Sequence, residues 1–299
     1  MGLVWISSPG CARVHRSTWC RDMATGRLAA WYRGRTWETL VARAVPLSRD
    51  ALTGPALVVA PHPDDEVLGC GGTILAKKAL GARIGIVYVS DGSASHASHM
   101  DPAELADRRK TEAKEASSRL GVADEDLFFL GIRDGGVRQA DEASRLGFAE
   151  ILETFRPEQI FTPYHADGVA DHEDTTALVA ASVQESSSRP EILEYPIWFW
   201  HHWPWTVGRV RDRFPRWLRR ARQSRRSMSR LRRDFRCVVD ISDHLEGKKR
   251  ALEAHASQMV REPGCAQWPI LSDISDGEWL DLFFRRFECF HRREQISDR

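Results

Sequence analysis

The sequence predicts an α/β domain with a mostly parallel sheet flanked by helices and one arginine-rich insertion. Three observations point there. Short apolar runs alternate with amphipathic segments of helical length over roughly residues 56–200. A chain of 299 residues suits one large domain or two small ones, and can bury a core without staples. Finally, "VVAPHPDDEVLGCGGT" (58–73) runs from an apolar strand straight into a histidine, three consecutive acids and a glycine cluster. Parallel sheets place their ligand-binding groups outside the carboxyl ends of strands.

The elements follow in order. Residues 1–26 are expected to be a disordered extension, with too short an apolar stretch for a secretory leader and with Met23 as an alternative start. Residues 27–299 are expected to form one domain, opened by a basic helix, "RLAAWYRGRTWETLVARA" (27–44). The strands are "ALVVA" (56–60), "RIGIVYVS" (83–90), "DLFFL" (126–130), "QIFTP" (159–163) and "EILEYPIWFW" (191–200). Between them lie helices at 71–81, 102–121, 141–155 and 172–187, the second with a glycine stop. "CVVDIS" (237–242) reads as a further strand and 243–259 as a helix.

Composition excludes several classes. A net charge of +1 names no partner. The six cysteines are scattered without a C-x-x-C pair, which argues against a zinc knuckle or a disulfide framework and for a reducing, cytoplasmic setting. No apolar run reaches the roughly eighteen residues of a membrane span. The insertion, about 203–236, is unusual: residues 209–236 hold thirteen arginines against two aspartates. It could be a solvated helix, a clamp for an anionic substrate, or a surface for anionic lipid, with nucleic acid not expected as the partner.

Adjacent carboxylates repel, so Asp64, Asp65 and Glu66 call for a cation. His62, Asp64 and Asp65 follow the first strand of the alternating pattern, and "YHADGVADHED" (164–174) follows the fourth. Both loops open on one edge of the sheet and together offer the ligands of a catalytic zinc site, three His or Asp/Glu groups with one position open. The plain alternative is that the acids cap a helix starting near Val67, but one acid would do that. The glycines fit neither G-x-G-x-x-G nor a P-loop, so close helix–strand packing explains Gly69, Gly71 and Gly72. "YPIWFWHHWPW" (195–205) reads as core, with a stacking wall for substrate expected only near Trp203 and Trp205.

"APHPDDEVLGCGGT" resembles the opening motif of the PIG-L/LmbE-like N-deacetylases, which have a Rossmann-like α/β fold. The similarity continues through "VSDGSASH" (89–96), "RKTE" (109–112), "LGIRDGGV" (130–137), "ADHEDT" (170–175) and "KKRALEAHASQ" (248–258). The resemblance implies a zinc enzyme (Fe²⁺ being the other candidate ion) that hydrolyses the N-acetyl group of an amino-sugar small molecule or glycoconjugate. Its metal ligands would be His62, Asp65 and His172, and its general base Asp64. In such enzymes the ion lowers the pKa of bound water and the aspartate takes its proton.

Ser93, His96, Arg109, Asp134 and Asp171 would line the substrate pocket. One position departs: Val169 stands where the family places a histidine that serves the oxyanion or the leaving amine. His165 is the first candidate for that duty, with His96, His201 and His202 as others, and Asp64 could serve as both base and acid. An amidase using the same metal site, and a catalytically weak binding protein using the arginine surface, are the alternatives.

Overall fold

The computed structural model describes residues 14–201, 205–206 and 225–294, with side chains from Ala29 onward. Helix α1 (Val14–Arg43) leads into strand β1 (Val45–Pro46) and helix α2 (Arg49–Thr53). The alternating stretch follows: β2 (Ala56–Ala60), α3 (Asp65–Ala79), β3 (Ile84–Ser90), α4 (Pro102–Arg119), β4 (Leu127–Ile132) and α5 (Glu142–Phe155). It continues with β5 (Gln159–Pro163), α6 (Ala170–Glu185) and β6 (Glu191–Tyr195). Helix α7 (225–234) then runs into β7 (Phe235–Asp240), α8 (Leu245–Leu252), α9 (Ala256–Met259) and β8 (Phe287–Arg292).

These form one eight-stranded sheet in the order β1-β7-β8-β6-β5-β2-β3-β4. Only β8 runs against its neighbours, β6 and β7. Every residue of β2, β3 and β5 is buried, because helices cover both faces. That is why these strands read as unbroken apolar runs and not as alternating ones. One core face holds Val58, Ile86 and Phe161 with α3 and α8 side chains. The other holds Leu57, Val59 and Val87 under Phe148, Leu152 and Val179. Helix α4 begins as its sequence demands: Asp101 accepts from the N–H groups of Ala103 and Glu104, and Pro102 supplies the first turn.

Four expectations need adjusting. Helix α1 starts at Val14, inside the segment expected to be an extension. The strand expected at 191–200 ends at Tyr195, before Pro196, and the chain turns at 198–200. The helix expected at 243–259 is two, α8 and α9. Strands β1 and β8 were not expected at all. The first is two exposed residues and the second, "FECFHR", lacks a clean alternation. Residues 207–224, most of the arginine run, lie outside the described residues.

The glycine cluster packs as expected. A side chain at Gly69 would run into the Tyr195 ring, and one at Gly72 would come within 2.6 Å of Ile241. The same stretch is pinned from below. Glu288 on β8 accepts from the N–H groups of Gly72 and Thr73 at 2.9 and 2.8 Å, and pairs with buried Lys248 at 2.7 Å. The Tyr195 hydroxyl donates to the Val59 carbonyl at 2.8 Å, so its ring cannot swing aside. Gly69→Ala should therefore destabilise by about 1–3 kcal/mol, measured as a lower urea midpoint with unchanged slope. An unshifted midpoint would mean that the helix–sheet contact is not tight.

Candidate metal centre and active site

The sheet reverses its direction of growth at β2. From β2 the chain adds β3 and β4 on one side, then crosses back to add β5 on the other. The loops leaving β2 and β5 therefore separate at a crevice, where open α/β sheets bind ligands. His62 comes from the first loop, Asp65 from the first residue of α3 behind it, and His172 from the first turn of α6 behind the second.

One ligand atom from each of His62, Asp65 and His172 lies within 4.8 Å of the other two. His62 Nδ1 is 3.3 Å from Asp65 Oδ2, and His172 Nε2 is 3.4 Å from the same oxygen. Two ligands of a tetrahedral ion at a metal–nitrogen distance of about 2.0–2.1 Å stand roughly 3.3–3.4 Å apart. His172 is wholly buried and its Nε2 has no hydrogen-bond partner, a costly state unless a cation takes the lone pair. The three residues thus fit a divalent metal by spacing and by this orphaned nitrogen.

Each imidazole is backed by carboxylates. His62 Nε2 is 3.3 Å from Asp134 Oδ1 and 3.5 Å from Asp171 Oδ2. His172 Nδ1 is 2.9 Å from Asp167 Oδ2, although off the line of its N–H. Such partners fix the tautomer and ring orientation of a metal-binding histidine. Asp167 is itself held by the backbone N–H groups of Ile197, Trp198 and Phe199 at 2.8–2.9 Å. Burial works against a charged His62, but hydrogen bonds to Asp134, Asp171 and Asp65 outweigh it and hold its pKa well above the usual imidazole value. Binding a metal there must release that proton. Asp134 and Asp171, expected to line the substrate pocket, both stand against His62 Nε2. His62, Asp134 and Asp171 also form a second possible ligand group, but it lacks an orphaned donor like His172 Nε2.

Asp64 and Asp65 diverge because they stand on either side of a helix start. Asp65 is the first residue of α3, while Asp64 sits before it at φ 133°. That backbone costs a non-glycine residue on the order of 1–3 kcal/mol and persists only where the surroundings enforce it. They do so here. The Asp64 N–H donates to Glu66 Oε2 at 2.9 Å, and Glu66 Oε1 pairs with buried His255 Nε2 at 2.8 Å. Gln258 Nε2 donates to Asp64 Oδ2. Asp64 makes no side-chain cap bond to α3, so helix capping does not account for it. Burial and the neighbouring Asp65 charge raise its pKa well above the ordinary carboxyl range, against His255 and Arg109, which lower it.

The remaining expected residues divide. Arg109 is buried beside these acids, with its Nε unpartnered, and its charge acts on both Asp64 and Asp134. Ser93 is buried in the loop after β3, where Asp91 Oδ1 accepts from the N–H groups of both Ser93 and Asp134. His96 is not free for substrate. Its Nδ1 meets Ser95 Oγ at 2.6 Å, its Nε2 meets the Pro269 carbonyl at 2.8 Å, and Trp268 stacks on it. His165 does not join the triad. Its Nδ1 lies 2.6 Å from Glu194 Oε2, in a separate group with His291. Val169 is the half-buried residue before α6. Trp205 is core, packed on Trp37 and Trp200 with 1% exposure, so it cannot be a stacking wall. Trp203 and His202 lie outside the described residues. Asp167, Glu66 and His255 had no assigned duty in the sequence, and neither did Gln258, although "AHASQ" was part of the resemblance.

Fold and site together define a parallel α/β protein with a metal-ligand cluster at its switch point. A family model described as PIG-L, GlcNAc-PI de-N-acetylase, matches residues 57–183. A 1D-myo-inositol 2-acetamido-2-deoxy-alpha-D-glucopyranoside deacetylase of Mycobacterium sp. (strain JLS) is 30% identical over 257 residues, 73% of this chain and 79% of that protein. The chain belongs to the PIG-L family. Among solved structures, N,N'-diacetylchitobiose deacetylase from Pyrococcus horikoshii superposes with a TM-score of 0.54 at 23% identity, over 80% of this chain and 84% of the other. GalB, the 4-carboxy-2-hydroxymuconate hydratase from Pseudomonas putida KT2440, does so with a TM-score of 0.52 at 15% identity, over 82% and 99%. Both likenesses are of fold.

The carboxylate behind His172 provides a test. Asp167→Asn should weaken zinc affinity about 10–100-fold, read by competition with a chromophoric chelator. Unchanged affinity would mean that Asp167 only organises the 197–199 turn.

Proposed function

We propose that this chain is a metal-dependent hydrolase that removes the N-acetyl group from an N-acetylglucosamine-containing small molecule. The observation that carries the reading is the convergence of His62, Asp65 and His172, with one nitrogen of each imidazole at tetrahedral ligand spacing from Asp65 Oδ2, beside the strained, buried Asp64. Imidazole and carboxylate donors in this number suit zinc, with Fe²⁺ as the other candidate. When bound, such an ion polarises the amide carbonyl and makes water acidic enough to react.

The chain's own groups do the rest. Asp64 accepts a proton from the attacking water. Held in place by its neighbours, the same carboxyl can keep that proton and pass it to the departing amine. One residue then serves as base and acid, which suits a chain with Val169 in place of the family histidine. Gln258 and Glu66 keep Asp64 aimed. Arg109 places positive charge near Asp64 and Asp134, where the carbonyl oxygen would gain negative charge. The relatives' names favour an inositol-linked N-acetylglucosamine as the first substrate to try.

The test is acetate release across N-acetylglucosamine inositol, malate, phosphatidylinositol and nucleotide conjugates. Turnover of non-sugar amides alone would favour an amidase using the same residues, and a protein that binds zinc but turns over none would be a binding module. Asp64→Asn should keep zinc yet lose about 10²–10⁴-fold in kcat. If instead it loses the metal while Asp65→Asn keeps it, the two aspartates exchange roles.

A further inference from the structure

We infer that His165, Glu194 and His291 form a second divalent-metal site, separate from the His62, Asp65 and His172 cluster. Three neighbouring strands deliver these residues to one point. Glu194 on β6 stands directly opposite His291 on β8, so both side chains leave the same face of the sheet. His165 follows the end of β5, the other neighbour of β6, and its own N–H donates to Glu194 Oε2 at 3.1 Å. One donor atom from each residue lies within 4.8 Å of the other two.

The environment suits an ion. The Glu194 side chain is 0% exposed, and a carboxylate removed from water needs a positive partner. Arg293 offers one only at 3.4 Å, from a side chain 40% exposed. His291 donates its Nδ1 proton to the Asp234 carbonyl at 3.2 Å. That fixes the tautomer with the lone pair on Nε2, the arrangement typical of metal-binding imidazoles. The Tyr164 ring packs on both imidazoles, with centroids 4.4 Å from His165 and 5.9 Å from His291, and Asp234 holds its hydroxyl at 2.5 Å. The site thus has a rigid wall.

Access comes through His165, whose side chain is 43% exposed. Its 2.6 Å contact with Glu194 is a hydrogen bond. Two ligands of one tetrahedral ion stand about 3.3 Å apart, so binding opens this contact by rotating the exposed ring. Two imidazoles and one carboxylate select zinc, cobalt, nickel or copper over magnesium or calcium. An ion here ties β6 and β8 to the β5 loop, which goes on to Asp167 and His172.

The test is metal counting on full-length protein, stripped with chelator, titrated with Co²⁺ by visible absorption and confirmed by elemental analysis after dialysis against Zn²⁺. Wild type should take up two equivalents. His165→Gln and His291→Gln should each take up one, and His172→Gln should also take up one by losing the other ion. The double variant His165→Gln/His172→Gln should take up none. Circular dichroism melts check folding, and if His291→Gln does not fold, the half-exposed His165→Gln decides the matter. A single equivalent in wild type, or two in both His165→Gln and His291→Gln, would overturn the site. Its fate is separable from that of the proposed activity. A protein with two ions that deacetylates nothing keeps this site, and one that deacetylates with a single ion loses it.

Discussion

One imidazole joins the loops of the crevice. His62 Nδ1 faces Asp65 at 3.3 Å, while its Nε2 faces Asp134 and Asp171 at 3.3 and 3.5 Å. These acids come from the loops or helix starts after β2, β4 and β5. Without a shared cation or proton they would repel one another across the crevice. The raised pKa of His62 and the lowered pKa values of Asp134, Asp171 and Asp65 are the two sides of that balance. In the last three, burial alone would raise the value, and the neighbouring imidazoles together with backbone hydrogen bonds overcome it. A metal ion on the triad would replace the proton in this role and draw His172 Nε2 into the same set.

The second layer explains how a short sequence motif keeps four polar groups apart. Asp64 is held in its unusual backbone by Glu66, Glu66 by His255, and the Asp64 carboxylate by Gln258. His255 precedes the short helix α9 and Gln258 lies within it. The carboxy-terminal part of the chain thus supports a site built from residues 62–172. Asp167 does the corresponding service for His172 while capping the turn that follows β6.

Much of this was legible in the sequence. The five-residue run 56–60 and its abrupt polar end located β2 and the site edge, and "QIFTP" with the polar loop behind it located the second half. The glycines at 69 and 72 announced close packing because no phosphate-loop spacing fitted them. What stayed hidden depended on contacts between residues far apart in sequence. Nothing local marks Glu194 opposite His291, Gln258 over Asp64, or the Trp205 ring under Trp37. His165 and His96 looked like catalytic candidates because loop position can be read from sequence but ring direction cannot. The divergence of Asp64 from Asp65 came from one positive φ angle, which side-chain identity does not reveal.

The fold alone does not select a reaction, as the likeness to a hydratase makes plain. The site chemistry must do so, and its central feature is the pairing of His62 Nδ1 with the triad while Nε2 belongs to Asp134 and Asp171. A crystal of the zinc-loaded protein, with anomalous scattering recorded at the zinc edge, tests this directly. The expected peak lies about 2.0–2.2 Å from His62 Nδ1, Asp65 Oδ2 and His172 Nε2. A peak bound instead to His62 Nε2, Asp134 and Asp171, or none within reach of His172, would contradict it.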